Sequence, residues 1–303
     1  MPWQRPTAIM TSMFGRPFLL SILIIIASSL SATAQEYHFA PDETVIGEMK
    51  LHRLKPAESL LEVSRENNLG CNEVEEANPG LDPFFPGNGT VIVPTSWVLP
   101  ELPANPDIVI NLSEMRLYHF VLPDQLVTYP IGIGNDGTET PIGTFSIIEK
   151  QTNPPWRVPR SIKKENPAYP KVMPPGPDNP LGSHALRLSL GDVLIHGTNR
   201  PWGIGRKATH GCIRLYPEDI PLLYNAVPVG ARVTIVRQPV KAGIRKGIIY
   251  LEVHRDPFLK SYNYVKATHQ LLERKGFLPA VDPAKIRQAI REGRGYPVDV
   301  SRH

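Results

Sequence analysis

The stretch IHGTNRPWGIGRKATHGCIRL, residues 195–215, places one of the chain's two cysteines, Cys212, sixteen positions after His196. Val193–Ile195 reads as an apolar strand, so His196 stands at its end with its ring held against a loop. The Pro- and Gly-containing excursion Asn199–Thr209 is long enough to bring Cys212 back to it. A thiol becomes a nucleophile when an imidazole within hydrogen-bond reach takes its proton, and acyl transfer then needs backbone donors for the oxyanion. Gly211 lets the backbone approach a substrate carbonyl closely, which makes the amides of Gly211 and Cys212 the expected oxyanion donors. Two other uses of these residues stay open. Cys212 could be a buried apolar thiol or pair with Cys71, and His196, His210 and Cys212 are all zinc-ligand types. Against zinc, no carboxylate or further His stands nearby at a ligand spacing, and an oxyanion site better explains the glycine between His210 and Cys212.

Outward from this stretch the chain reads as mainly β. DIVINLSEMRLYHF, residues 107–120, alternates and turns at Ser113-Glu114 like a hairpin. Further strands are expected at Leu126–Ile131, Gly143–Glu149, Ala185–Leu188, Val193–Ile195 and Arg232–Val236, spaced as in a β-sandwich or barrel. Residues 152–184 are too rich in Pro and Gly for regular structure, and a loop of that length in a compact domain is commonly a functional lid or a disordered segment. The embedded Trp156, Tyr169 and Leu181 predict an ordered one, and His184 at its end could reach the same cleft.

Before the catalytic segment, residues 35–99 predict a βααβ unit. Its first helix opens near Ala57-Glu58-Ser59, its second runs from Glu73 to Ala77 under an Asn72 cap, and a strand at Thr90–Val93 closes it. A Pro-rich linker, residues 100–106, follows. Residues 238–303 predict one strand in GIIYLEVHRDP and two amphipathic helices, at 264–275 and 282–292, with nothing beyond a packed appendage with a basic surface. The expected divisions are thus 1–34, 35–99, 100–237 and 238–303.

The first of these is an export leader. Arg5 and Arg16 precede the apolar run Phe18–Leu30, and Ala32-Thr33-Ala34 supplies an A-x-A site, so cleavage is expected after Ala34. A retained anchor is the alternative, but the run is shorter than the roughly 20 apolar residues a spanning helix needs. The net charge of +4 falls to about +2 without Arg5 and Arg16, too little for a nucleic-acid binder. Residues 35–100 hold eleven acidic and four basic side chains, and residues 238–303 hold thirteen basic and six acidic ones. Opposite signs could draw the two ends together or guide an anionic polymer to the basic end, and ordinary solvated faces would explain them as well.

Ile195-His196-Gly197-Thr198 followed by Thr209-His210-Gly211-Cys212-Ile213-Arg214-Leu215 resembles the YkuD-type L,D-transpeptidases of bacterial cell-wall assembly. Thr140-Pro141-Ile142-Gly143-Thr144-Phe145 and the Pro174–Gly182 stretch stand in the matching order. Similarly, Glu58-Ser59-Leu60, Ala77-Asn78-Pro79-Gly80, Pro86-Gly87 and Val91-Ile92-Val93-Pro94 resemble the LysM family, which binds peptidoglycan glycan; a structural cap is the other reading of that unit. The first resemblance implies Cys212 as nucleophile, His196 as base, the Gly197 carbonyl as orienter of the imidazole, and His210, Arg214, Thr198 and Thr209 as substrate-binding neighbours. Arg214 stands where part of the family carries Asn. The implied donor is a peptidoglycan tetrapeptide, cleaved after its third-residue diamino acid with release of D-alanine, in the periplasm and without metal or organic cofactor. The implied acceptor is an amine, with outer-membrane murein lipoprotein favoured over a second stem peptide (a 3-3 cross-link) or water (carboxypeptidase action). A wall-binding scaffold without catalysis is the reading from another class. Acylation by carbapenems is also implied.

Overall fold

A computed structural model describes residue 1, residues 35–101 and residues 106–303. The leader with its cleavage site and most of the Pro-rich linker fall outside the described residues. The described residues from 35 onward form one compact unit. Among the described residues, no helix is long and apolar enough to cross a membrane.

The N-terminal segment runs β1 (Glu36–His38), β2 (Val45–Gly47), β3 (Lys50–Arg53), α1 (Leu60–Glu66), α2 (Cys71–Ala77), β4 (Thr90–Val93) and β5 (Ser96–Val98). β3 and β4 pair antiparallel around the two helices, giving the expected βααβ unit. Ser59 and Glu62 form a reciprocal capping box on α1. α2 begins two residues before the expected start: Gly70 is its N-cap and Asn72 lies inside it. Glu73 takes the capping role, accepting the Gly70 amide at 2.7 Å, and Asn72 donates instead to the Glu114 carbonyl at 3.1 Å.

β6 (Ile108–Asn111), β7 (Arg116–Leu122), β8 (Gln125–Pro130), β9 (Ile133–Gly134) and β10 (Gly143–Thr152) follow, then a long excursion, then β13 (His184–Leu188), β14 (Leu194–His196), β15 (Lys207–Thr209), β16 (Ile213–Arg214), α4 (Asp219–Ala226) and β17 (Arg232–Val236). The excursion is more regular than its composition predicts, with a small hairpin of β11 (Trp156–Arg157) and β12 (Val172–Met173) enclosing α3 (Arg160–Glu165). Trp156 meets Tyr169 edge to face at 5.3 Å, and Lys163 Nζ donates to the Tyr169 carbonyl at 2.8 Å; these contacts order a segment that lacks a hydrophobic repeat.

Nine strands form one sheet in the order β1-β8-β7-β6-β17-β10-β13-β14-β16. β10 turns the corner, pairing β17 over Gly143–Ser146 and β13 from Ile147 to Thr152 with a register shift after Ile147. β7 has both faces covered. Leu117 enters the main core with Ile110, Leu186, Ile195, Ile213 and Ile220, whereas Tyr118 joins Leu60, Val63, Val74 and Trp97 of the N-terminal segment.

The C-terminal segment holds β18 (Val240–Arg245), β19 (Ile248–Val253), α5 (Tyr264–Arg274), α6 (Pro283–Glu292) and β20 (Val298–Asp299), so the single expected strand is one of three. α6 is bounded by the Asp282 cap, Pro283 at its first position and Gly293 in the left-handed region. The segment is more than an appendage. Lys241 Nζ lies fully buried against Glu114 (2.6 Å), Glu252 (2.7 Å) and the Val98 carbonyl (2.7 Å), and His254 bonds Glu252 (2.7 Å) and Glu76 (3.1 Å). The acidic and basic ends therefore meet at the His254–Glu76 pair and where Lys241 and Glu252 bond the Val98 carbonyl and amide, while Glu114 comes from the catalytic segment.

Candidate active site

β14 and β16 are parallel neighbours in the register Ile195↔Ile213 and His196↔Arg214. Ile195 and Ile213 are fully buried in the main core. Period-two alternation then turns His196 and Arg214 to the opposite face, and Cys212, two residues before Arg214, belongs to that face as well. The sheet thus brings the two ends of the 195–215 stretch side by side.

His196 is 3% exposed, and its Nδ1 lies 2.6 Å from the Gly197 carbonyl. A carbonyl only accepts, so Nδ1 carries the proton and Nε2 keeps a free lone pair. Burial, and next the charge of Arg214, lower its pKa to about 3, outweighing the carbonyls of Gly197 and Leu181. The imidazole rests neutral. Cys212 is half-buried, and its Sγ reaches the Asp192 carbonyl at 3.7 Å. Burial pushes the thiol up; the Leu194 amide, Arg214 and Arg187 favour the thiolate, and Asp192 opposes it. The resting pair is therefore thiol and neutral imidazole, not thiolate and imidazolium.

Gly211 sits at φ +100°, where a side chain is strained, although a Cβ there would meet nothing closer than 3.7 Å. Backbone conformation, not close approach, is what its position requires. The two expected oxyanion donors differ: the Gly211 amide donates to Thr209 Oγ1 at 3.2 Å, and Thr209 Oγ1 donates to the Cys212 carbonyl at 2.6 Å. Thr209 therefore closes the turn that carries Cys212. Thr198 similarly accepts the Arg200 amide at 2.9 Å, and both threonines are buried. Among the described residues the Thr209 hydroxyl both accepts and donates within the loop, whereas the Thr198 hydroxyl accepts from Arg200 alone. Gly182, at φ +68°, packs so closely on Gly197 and Thr198 that a Cβ would lie 2.8 Å from the Thr198 nitrogen; the end of the 152–184 excursion is seated on the backbone that follows His196.

A cleft of about 730 Å³ opens beside these residues, lined by His210 and Arg214 on one side and by Trp156, Ile162, Tyr169 and Trp202 on others. Cys212 and His196 do not line it; their neighbours do. His210 Nε2 lies 3.3 Å from both Glu165 oxygens on α3, joining lid to catalytic loop. Arg214 Nε is buried without a partner among the described residues, and burial and Arg200 lower the guanidinium's pKa. His184 is turned to Ser183 (2.9 Å) and the Tyr224 ring (4.6 Å) and does not line the cleft.

Cys71 is unpaired and buried, donating to the Ile204 carbonyl at 3.2 Å, so the two cysteines form no bridge. Among the described residues, the three side chains that gather ligand atoms within 4.8 Å of one another are Glu114, Glu252 and His254, where the Lys241 ammonium already sits; His196, His210 and Cys212 form no such group. Sequence reasoning missed Glu165, Trp202 and Asp192. Trp202 was visible inside the motif stretch, whereas Glu165 required knowing how the lid folds.

The family profile described as the L,D-transpeptidase catalytic domain, YkuD, matches residues 105–235. "Probable L,D-transpeptidase YcfS" of Escherichia coli K12 is 35% identical over 300 residues, spanning 92% of each chain. "Probable L,D-transpeptidase YbiS" of the same organism is 37% identical over 77% of this chain and 80% of its own. "Probable L,D-transpeptidase ErfK/SrfK" of Salmonella typhimurium is 36% identical over 77% of this chain and 79% of its own.

Proposed function

The chain belongs to the YkuD family of L,D-transpeptidases, and on that premise we propose that Cys212 is the nucleophile and His196 its base in acyl transfer from a peptidoglycan tetrapeptide. The observation that carries this reading is the β14–β16 register, with His196 Nδ1 bonded to the Gly197 carbonyl, which leaves Nε2 as proton acceptor on the face Cys212 shares. When the donor enters, His196 Nε2 takes the Sγ proton and Sγ attacks the carbonyl carbon of the third-residue diamino acid. The Cys212 amide faces the oxyanion, and the Gly211 amide joins it when it leaves Thr209. The tetrahedral centre collapses, the C–N bond to D-alanine breaks, and the His196 proton goes to the departing amine. An acceptor amine then gives its proton to His196 and attacks the thioester, and Sγ leaves to recover that proton. Arg214, with its unmet Nε, and His210 bind the polar groups of the peptide at the cleft.

The acceptor is the lysine amine of an outer-membrane murein lipoprotein, ahead of a second stem peptide or water, and the setting is the periplasm, reached through the leader ending at Ala34. The N-terminal βααβ unit holds wall glycan, and carbapenems acylate Cys212. Intact-protein mass spectrometry of residues 35–303 with a purified disaccharide tetrapeptide tests the reading. A thioester on Cys212 that an added amine discharges supports it; no adduct and no D-alanine release from folded protein with a free Cys212 would refute it in favour of a wall-binding scaffold.

A further inference from the structure

The catalytic excursion has two unequal halves. Residues 207–214 are fixed into the β framework: β15 pairs β9 in a two-stranded sheet, β16 pairs β14 at the edge of the nine-stranded sheet, and Gly132 and Arg214 exchange both amide hydrogen bonds at 2.9 Å. Residues 199–206, which supply Arg200, Pro201, Trp202 and Gly203 to the cleft, meet that framework at fewer points: Gly203 packs on Gly132, where a Cβ would stand 2.8 Å from the Gly203 carbonyl oxygen, the Gly205 amide reaches the Ile131 carbonyl at 3.0 Å, and the Arg206 carbonyl accepts the Ile133 amide at 3.1 Å. Their outer side rests on α1 and α2 of the N-terminal segment.

That seat is closely made. Cys71 Sγ and the Cys71 amide both donate to the Ile204 carbonyl, at 3.2 and 3.4 Å. Gly205, at φ +79°, approaches so near that a Cβ would stand 2.4 Å from the Cys71 nitrogen. Arg206 makes a two-pronged ion pair with Glu75, one arm at 3.1 Å. Arg65 lies 5.6 Å from the Trp202 ring centroid and pairs with Glu218 at 2.9 Å, joining the cleft wall to the start of α4.

We propose that Cys71, Glu75 and Arg65 are positioning residues for the transferase reaction: the N-terminal segment holds the 199–206 wall of the donor cleft, independently of any hold on glycan. The proposal rests on the acyl-transfer reading above for its kinetic readout only. Loosening the seat moves the cleft wall while β15 and β16 keep the nucleophile in place, so donor affinity falls and chemistry on bound donor persists.

The test compares Glu75→Gln, Cys71→Ala and Cys71→Ser with the parent in D-alanine release from the disaccharide tetrapeptide and in hydrogen exchange. Glu75→Gln and Cys71→Ala should raise KM about fivefold with kcat within about twofold, and Cys71→Ser, which keeps a donor for the Ile204 carbonyl, should recover much of the loss. Amide exchange should quicken in residues 199–206 and stay at the parent rate in 207–215. Unchanged KM and unchanged exchange in 199–206 for both disruptive variants would overturn the proposal, as would a fall in kcat accompanied by faster exchange through 207–215. If the parent releases no D-alanine, the acyl-transfer reading fails, and the exchange pattern still decides whether the N-terminal segment holds the wall.

Discussion

A neutral resting pair has a kinetic signature. The perturbation is pH, the reporter is alkylation of Cys212 by iodoacetamide followed by mass spectrometry, and Cys71 serves as internal control because it is 3% exposed and its thiol is pushed up to about 12. Burial lifts Cys212 above the ordinary thiol value of 9.0, so at pH 7 no more than about 1% is thiolate, and the rate at neutral pH should lie at least about 100-fold below its alkaline limit. His196, held near 3 by burial and Arg214, has no proton to lose between pH 5 and 8 and gives that range no inflection. His196→Ala should therefore change alkylation by less than about threefold while reducing D-alanine release by about 10²- to 10⁴-fold, the usual worth of a general base. A fast plateau from pH 5 to 8 that vanishes in His196→Ala would refute the reasoning, because only a preformed thiolate–imidazolium pair produces it.

Two further outcomes concern stability. Lys241→Met leaves Glu114 and Glu252 buried without their shared ammonium, which should cost about 3–5 kcal/mol and lower Tm by about 10 °C in a thermal melt; a variant as stable as the parent would show that these carboxylates are not charged in the fold. Asp219 is buried with Oδ2 unpartnered, and burial, reinforced by Glu218, raises its pKa from 3.8 to about 8. Its folded pKa lies above its unfolded one, so its contribution is complete below about pH 4 and declines by about 1.4 kcal/mol per pH unit until about pH 8. Urea midpoints at pH 5 and 8.5 should therefore favour Asp219→Asn over the parent more at the higher pH, and an equal difference at both would contradict the assignment.

What was legible in the sequence follows from what is local. β17 at Arg232–Val236 and β4 at Thr90–Val93 stand at their expected bounds because alternation and turn residues determine such strands. The 152–184 lid was legible as ordered but not as a hairpin around a helix, since a few aromatic and lysine contacts hold it. Lys241 and Glu252 face each other across β18 and β19, and the pair was not legible because only one of those two strands was expected. What buries them is Glu114 and β5, far away in sequence, and no local pattern announces that.

The same non-local packing bears on how separable the catalytic segment is. Glu73 on α2 caps its own helix, accepts from Trp97 Nε1 at 2.9 Å and pairs with Arg116 of β7 at 2.7 Å. Arg116, 1% exposed, also stacks 4.2 Å over the Trp97 ring. Without the N-terminal segment this guanidinium would lose its carboxylate and its ring, and Tyr118 and Leu126 would lose the apolar layer that covers them. A sheet face bearing an uncompensated cation and bared aromatic surface does not suit a free domain. The physical unit that carries Cys212 is therefore the catalytic sheet together with α1 and α2, and the βααβ unit is part of the enzyme's framework whether or not it also holds glycan.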